Sequence, residues 1–169
     1  MNTSEQQAVT PVIGNHGSGS AADSDARRRA FRLLHQTGCF VIPNPWDVGS
    51  ARYLQHLGFP ALATTSAGFA FSQGLPDSEH ALPRDRNLTH VADIAAAVDV
   101  PVYTDFASGY GKASLGVADS VTRCIATGVA GLSIEDATGD RRHSTTCRSQ
   151  LNAFARAGKR SMGHAPTCC

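Results

Sequence analysis

The sequence predicts an α/β fold built on a parallel sheet, and three observations predict it. Short apolar runs alternate with amphipathic helical segments, the pattern of successive βα units. The runs are apolar at adjacent positions as well as alternate ones, as in strands covered on both faces. Their polar residues collect at the C-terminal ends. A (β/α)8 barrel carries its active-site rim there, and a doubly wound sheet its ligand crevice. Periodicity leaves those two architectures open.

Residues 1–24 are rich in Ser, Gly, Asn, Gln and Ala and read as a disordered N-terminal extension. "DARRRAFRLLHQTG" then predicts a short helix capped by Asp25 and ended by Gly38. "CFVIPNPWD" is the first apolar run, and "VGSARYLQHLG" a helix capped by Asp47 and closed by Gly58. "ALATTSAG" is the second run. "NLTHVADIAAAV" is a helix with Leu88, Val91, Ala95 and Val98 on one face. "VPVYTDFASGYG" is the third run, ending at Asp105. "VADSVTRCIATG" is a helix with Val117, Val121, Cys124 and Ile125 inward, and "VAGLSIED" is the fourth run, ending at Glu135 and Asp136.

The chain has 169 residues, enough for one ordinary domain with a sizeable core. With 41% hydrophobic and 17% charged residues it is globular in composition. There is no run of 18 or more apolar residues, so no membrane span is expected. No basic segment followed by an apolar one marks a secretory signal, and the expected compartment is the cytoplasm. The five cysteines (39, 124, 147, 168 and 169) share no repeated spacing and give no disulfide framework. Charge is uneven. Residues 1–140 hold all 14 acids and 9 of the 15 basic residues, a balance of −5. Residues 141–169 hold the other 6 basic residues and no acid, a balance of +6.

Several groups could carry chemistry. Asp77, Asp105 and Glu135, with Asp136 beside the last, sit at or after run ends. Carboxylates converging on one rim suit Mg²⁺, a hard cation that takes oxygen ligands and keeps waters. Ordinary caps or loop acids would look the same. "TTSAGFAFSQGLPD" offers small residues whose amides can approach a carboxylate or phosphate, or equally a plain Gly/Ser turn. "SGYGKAS" falls short of a phosphate-binding loop, because Phe106 stands at the first glycine position and Ala113 follows Lys112. Lys112 reads as a solvated surface residue. His143, Cys147, His164, Cys168 and Cys169 lack the paired spacing of a zinc site. Cys39 and Cys124 read as buried small hydrophobes.

Three separated stretches, "IPNPWDVGSARYLQHLGFPALATTSAGFAFSQGLPD", "AAAVDVPVYTDFASGYG" and "TGVAGLSIED", resemble the isocitrate lyase/phosphoenolpyruvate mutase family, and its short bacterial branch in particular. The likeness runs over about residues 28–140. It implies a partial (β/α)8 TIM barrel, about the first four βα units of eight, within a unit spanning 25–140. It also implies a lyase or mutase, carboxyvinyl-carboxyphosphonate phosphorylmutase-like, that makes or breaks a C–C or P–C bond beside a 2-oxo acid carboxylate. The cofactor implied is Mg²⁺, or Mn²⁺ in its place. The partner implied is a small 2-oxo acid or phosphonate, and the parent enzyme is a homo-oligomer.

By position, Ser66, Ala67 and Gly68 match the loop that holds the substrate's carboxylate or phosphonate, and Tyr110 and Gly111 lie in the family's G-Y-G turn. Asp105 matches the acid that touches the metal. Asp77 and Glu135 match acids that act through metal-bound water, so the implied metal set is Asp77, Asp105 and Glu135, with Asp105 and Glu135 catalytic. Two departures stand out. Ala107 occupies the place of the family's usual second acid, which should weaken metal binding. The K-K-C-G-H segment of true isocitrate lyases is not present, and Cys147 does not match it.

Beyond Asp140 the resemblance stops. Written as codons and read from the third base of the Arg141 codon, "RRHSTTCRSQLNAFARA" can spell P-P-L-Y-D-L-P-L-A-V-E-R-I-R-A, close to the family's next segment. Residues 141–169 are therefore read as an out-of-frame tail of a truncated chain. Half a barrel would leave open edges and an uncovered interior, so marginal stability is expected. The alternative to a lyase or mutase is a non-catalytic remnant. A nucleic-acid binder through the basic tail ranks lowest, because the tail lacks helical periodicity and interleaved aromatics.

Overall fold

The structure is a computed structural model that describes residues 21–78, 81–111 and 114–135. Most of the N-terminal extension, Lys112, Asp136 and the tail with its histidines, cysteines and proposed frame change lie outside the described residues.

The described chain is a parallel three-stranded sheet with five helices. In order they are α1 (Ala21–Leu34), α2 (Val48–His56), β1 (Leu62–Ala63), α3 (Ser66–Ser72), α4 (Arg84–Ala97), β2 (Val102–Asp105), α5 (Ser114–Ala126) and β3 (Gly131–Ser133). The sheet order is β1-β2-β3, with Leu62 opposite Val102 and Asp105 opposite Ser133. The α/β class read from the alternation is what forms.

Besides α3, taken up with the site, two elements and one cysteine depart from the sequence reading. The first apolar run is not a strand. It lies beside β1 through a bond from the Ala63 amide to the Pro43 carbonyl and one from Asn44 Nδ2 to the Ala63 carbonyl. Pro43 and Pro45 remove the amides a ladder would need. Helix α1 starts four residues before Asp25, in the segment read as disordered. Asp25 pairs with Arg28 inside the helix and does not cap it. Cys39 is exposed, because it follows the Gly38 turn (φ +72°) before the chain reaches the sheet; Cys124 is buried as expected.

Helix α2 forms as read. Asp47 accepts from the Ser50 amide, while the Ser50 hydroxyl faces the Asp47 amide in a reciprocal capping box. These bonds hold the Asp47 carboxyl below its usual range. Leu88, Val91, Ala95 and Val98 of the α4 segment are all buried, as are Val117, Val121 and Cys124 of α5.

The two faces of the sheet differ. Leu62 and Val102 pack with Ala51, Leu88, Val91, Ile94 and Cys124, so α2, α4 and α5 cover one face. Side chains alternate along a strand, so Tyr103 and Asp105 point the other way. There Phe31 of α1 stacks on Tyr103, with centroids 5.7 Å apart. Helix α1 is also tied to two helix ends. Arg27 Nη1 donates to the carbonyls of Ala95 and Val98, and Arg28 donates to those of Ile125 and Val129. Terminal carbonyls of a helix have no intrahelical donor, and a cation there also meets the negative end of the dipole.

Substituting Arg28→Ala should lower unfolding free energy by about 1–3 kcal/mol, because it removes two charge-assisted bonds to part-buried carbonyls. The exposed Arg29→Ala should change it by no more than about 0.5 kcal/mol. Urea denaturation of both variants checks this, and equal effects would remove the clamp from the account.

Candidate functional site

Strands β1 and β2 end side by side, and their C-terminal ends build the site. At the end of β1, Thr65 is the N-cap of α3 and accepts from the Gly68 amide. The turn is tight: a Cβ on Gly68 would sit 2.6 Å from Thr65 Cγ2, so glycine is required by packing alone. Ser66, buried in the first turn of α3, reaches across to Asp105 at the end of β2. Its hydroxyl donates to Asp105 Oδ2 at 2.7 Å and its amide to the same oxygen at 3.2 Å. The other carboxylate oxygen accepts from the Ala107 amide at 3.3 Å. Asp105 is part-buried and fixed from both sides.

The turn that follows is strained. Ala107 (φ +46°) and Tyr110 (φ +55°) both take the left-handed conformation, which costs a non-glycine residue on the order of 1–2 kcal/mol each. Three backbone bonds and one to a side chain hold the turn against that cost. Phe106 donates to Ser133, Gly109 to Phe106, Ala107 to the Asp105 side chain and Glu135 to the Ala107 carbonyl. Phe106 is fully buried in the core under the turn. Gly111 packs on α5 so closely that a Cβ would overlap the Val117 backbone amide. The glycines at 68 and 111 thus have a packing reason whether or not a ligand binds there.

The structure brings Ser66 and Asp105 into direct contact and places Ala67 and Gly68 in the same short helix. Glu135 is linked to the Asp105 turn through its backbone amide, with its side chain exposed. Asp77 is exposed, beyond α3. Among the described residues no three His, Cys, Asp or Glu side chains gather closely enough to hold a metal ion. Mg²⁺ does not need such a cage, since it is commonly held by one or two carboxylates together with water and substrate oxygens. Of the three predicted acids only Asp105 is held at the strand ends, so such an ion would find one oriented carboxylate here.

Three buried polar features escape a sequence reading. Thr64 and Thr104 pair their hydroxyls at 2.8 Å beneath the strand ends. Asn87 of α4 donates from Nδ2 to the Tyr110 hydroxyl at 3.0 Å. His90, one turn on, stacks flat on Phe69 of α3, with centroids 3.7 Å apart and an interplanar angle of 3°. Its Nε2 is buried and has no hydrogen-bond partner among the described residues. The one signal for the last two is the i,i+3 spacing of Asn87 and His90 within an otherwise apolar face.

The phosphoenolpyruvate phosphomutase profile matches residues 31–166, which extends past Asp140. A candidate lyase/mutase of Burkholderia cenocepacia J2315 is 42% identical, with a TM-score of 0.76 over 85% of this chain and 51% of its own. An uncharacterized Mycobacterium tuberculosis protein is 36% identical over 113 residues, 66% of this chain and 42% of that protein. The 2-methylisocitrate lyase of Escherichia coli is 35% identical over 116 residues, 68% of this chain and 39% of the enzyme. The chain spans about two fifths of the length of these two curated relatives.

Burial pushes the His90 imidazole down from 6.5 to about 4, against the opposing pull of Asp93 and Asp47. The unfolded chain therefore binds this proton first. Stability from this group is complete above about pH 6.5 and is lost as pH falls toward about 4. In His90→Leu the melting temperature should fall less steeply over that window than in wild type. Equal slopes would show that His90 is not buried as described.

Proposed function

The chain belongs to the phosphoenolpyruvate phosphomutase family, and from that premise we propose that it carries the Asp105 side of a Mg²⁺-dependent lyase or mutase site. The substrate class proposed is a small 2-oxo acid or phosphonate. One observation carries this reading: the carboxylate ending β2 is held in place by Ser66 from the end of β1. The cover of one face by α2, α4 and α5, with Tyr103 and Asp105 on the opposite face, supports a barrel wall whose inner face bears the chemistry.

Asp105 would hold the ion, with Mn²⁺ able to replace Mg²⁺. Asp77 and Glu135 would act through its water, and Ser66, Ala67 and Gly68 would face the substrate's carboxylate or phosphonate. The ion, when bound, supplies Lewis-acid stabilisation of charge developing on the oxo acid. The protein's own part is positional. Ser66 and the Ala107 amide fix both carboxylate oxygens, so Asp105 is oriented before any ligand arrives. Tyr110 and Gly111 shape the turn behind it.

Ala107 supports a weakened version of the site. Its methyl stands where the family's usual second acid would be, in a left-handed conformation that Asp tolerates better than Ala. The competing reading, a chain without turnover, draws on the same alanine and on the exposed, ungathered Asp77 and Glu135.

Thermal shift with Mg²⁺ and oxalate separates the readings. Wild type should be stabilised by mass action. Asp105→Asn should abolish the shift, and Ala107→Asp should tighten apparent Mg²⁺ affinity by about tenfold. If wild type and Asp105→Asn respond identically at millimolar ligand, the metal reading is wrong.

A further inference from the structure

Helix α4 reaches both rim segments from beneath. His90 stacks on Phe69 of α3, and Asn87 bonds the hydroxyl of Tyr110. The second contact is the more telling. Asn87 is 1% exposed among Leu88, Val91 and Ile94, on a face whose other buried polar residue is His90, and an apolar residue would pack there without needing a partner. Its amide is directed to the residue at the far end of the strained turn, whose near end is Asp105. Tyr110 is held in the left-handed region and also packs edge-to-face on Phe106, at 5.2 Å. The chain between Asp105 and Tyr110 is thus anchored at one end by Ser66 and at the other by Asn87.

We propose that Asn87 is a positioning residue for the Asp105 carboxylate, acting through the Tyr110 hydroxyl. The hydroxyl anchor keeps Tyr110 in its left-handed conformation. That keeps the Ala107 amide on Asp105 Oδ1 and the Ala107 carbonyl on the Glu135 amide. The same bond therefore fixes the approach of β3's end to the site. Its consequence for metal binding rests on the reading of Asp105 proposed above; its consequence for the turn does not.

Hydrogen exchange on the full chain tests it. Asn87→Leu keeps similar volume and removes the donor. Tyr110→Phe removes the acceptor with no cavity in the α4 core, and covers the case in which Asn87→Leu fails to fold. Either substitution should speed exchange at the amides of Ala107, Gly109 and Glu135 by about tenfold or more, while Val91 and Ile94 stay within about threefold. The double variant should exchange no faster than the single ones, because both remove one bond. Mn²⁺ titration adds a second reading, with affinity expected to fall about tenfold in each variant. Uniform acceleration across α4 and the turn, or additive effects in the double variant, would overturn the proposal. If wild type binds no Mn²⁺ while turn exchange still rises locally, the metal reading fails and the positioning role stands.

Discussion

The contact between Ser66 and Asp105 is the constraint on which the rest of the site depends. It joins residues 39 positions apart and ties the first turn of α3 to the end of β2. A carboxylate at a strand end is ordinarily free to follow solvent. Here one oxygen takes two donors from Ser66 and the other takes the Ala107 amide. Hydrogen bonds to a charged acceptor are about twice as strong as neutral ones, so this set restrains the carboxylate.

The surrounding fold makes that contact available. Asp105 faces away from α2, α4 and α5 because side chains alternate along β2, and Val102 takes the face those helices cover. Parallel pairing sets Ala63 opposite Tyr103, so two residues further on the start of α3 comes level with Asp105 and Ser66 can reach across. The strained turn then sends the chain back over Phe106 into α5, with Gly111 pressed on the helix backbone. Strain of this kind persists only where surrounding bonds over-determine it. Here the bonds come from β3, from the Asp105 side chain and from α4.

The repeating elements were legible because periodicity and end signals agreed. Asp47 and Gly58 bracket α2, and the apolar faces of α4 and α5 are the faces that bury. The first run was misread because hydrophobicity alone suggests a strand, whereas two prolines deny it the donors. Helix α3 is not legible as a helix: its opening is small and polar, and its start depends on the Thr65 cap, a short-range geometry that composition does not reveal. At the site, Asp105 and Ser66 were both named, but as a metal acid and a substrate holder. That they bond each other depends on strand register, which no local pattern encodes. Asn87 and His90 were missed for the opposite reason. Within an apolar helical face a polar residue looks like an exposed flank until its partner is known.

The proposed cation position at Asp105 is the central claim. Paramagnetic line broadening by Mn²⁺ in amide spectra of the full chain locates the ion most directly. Substoichiometric Mn²⁺ should broaden the amides of Ser66, Phe106 and Ala107 first and leave Ile94 and Cys124 sharp, whereas in Asp105→Asn all five should stay sharp. Broadening centred elsewhere, or the same pattern in Asp105→Asn, would contradict it.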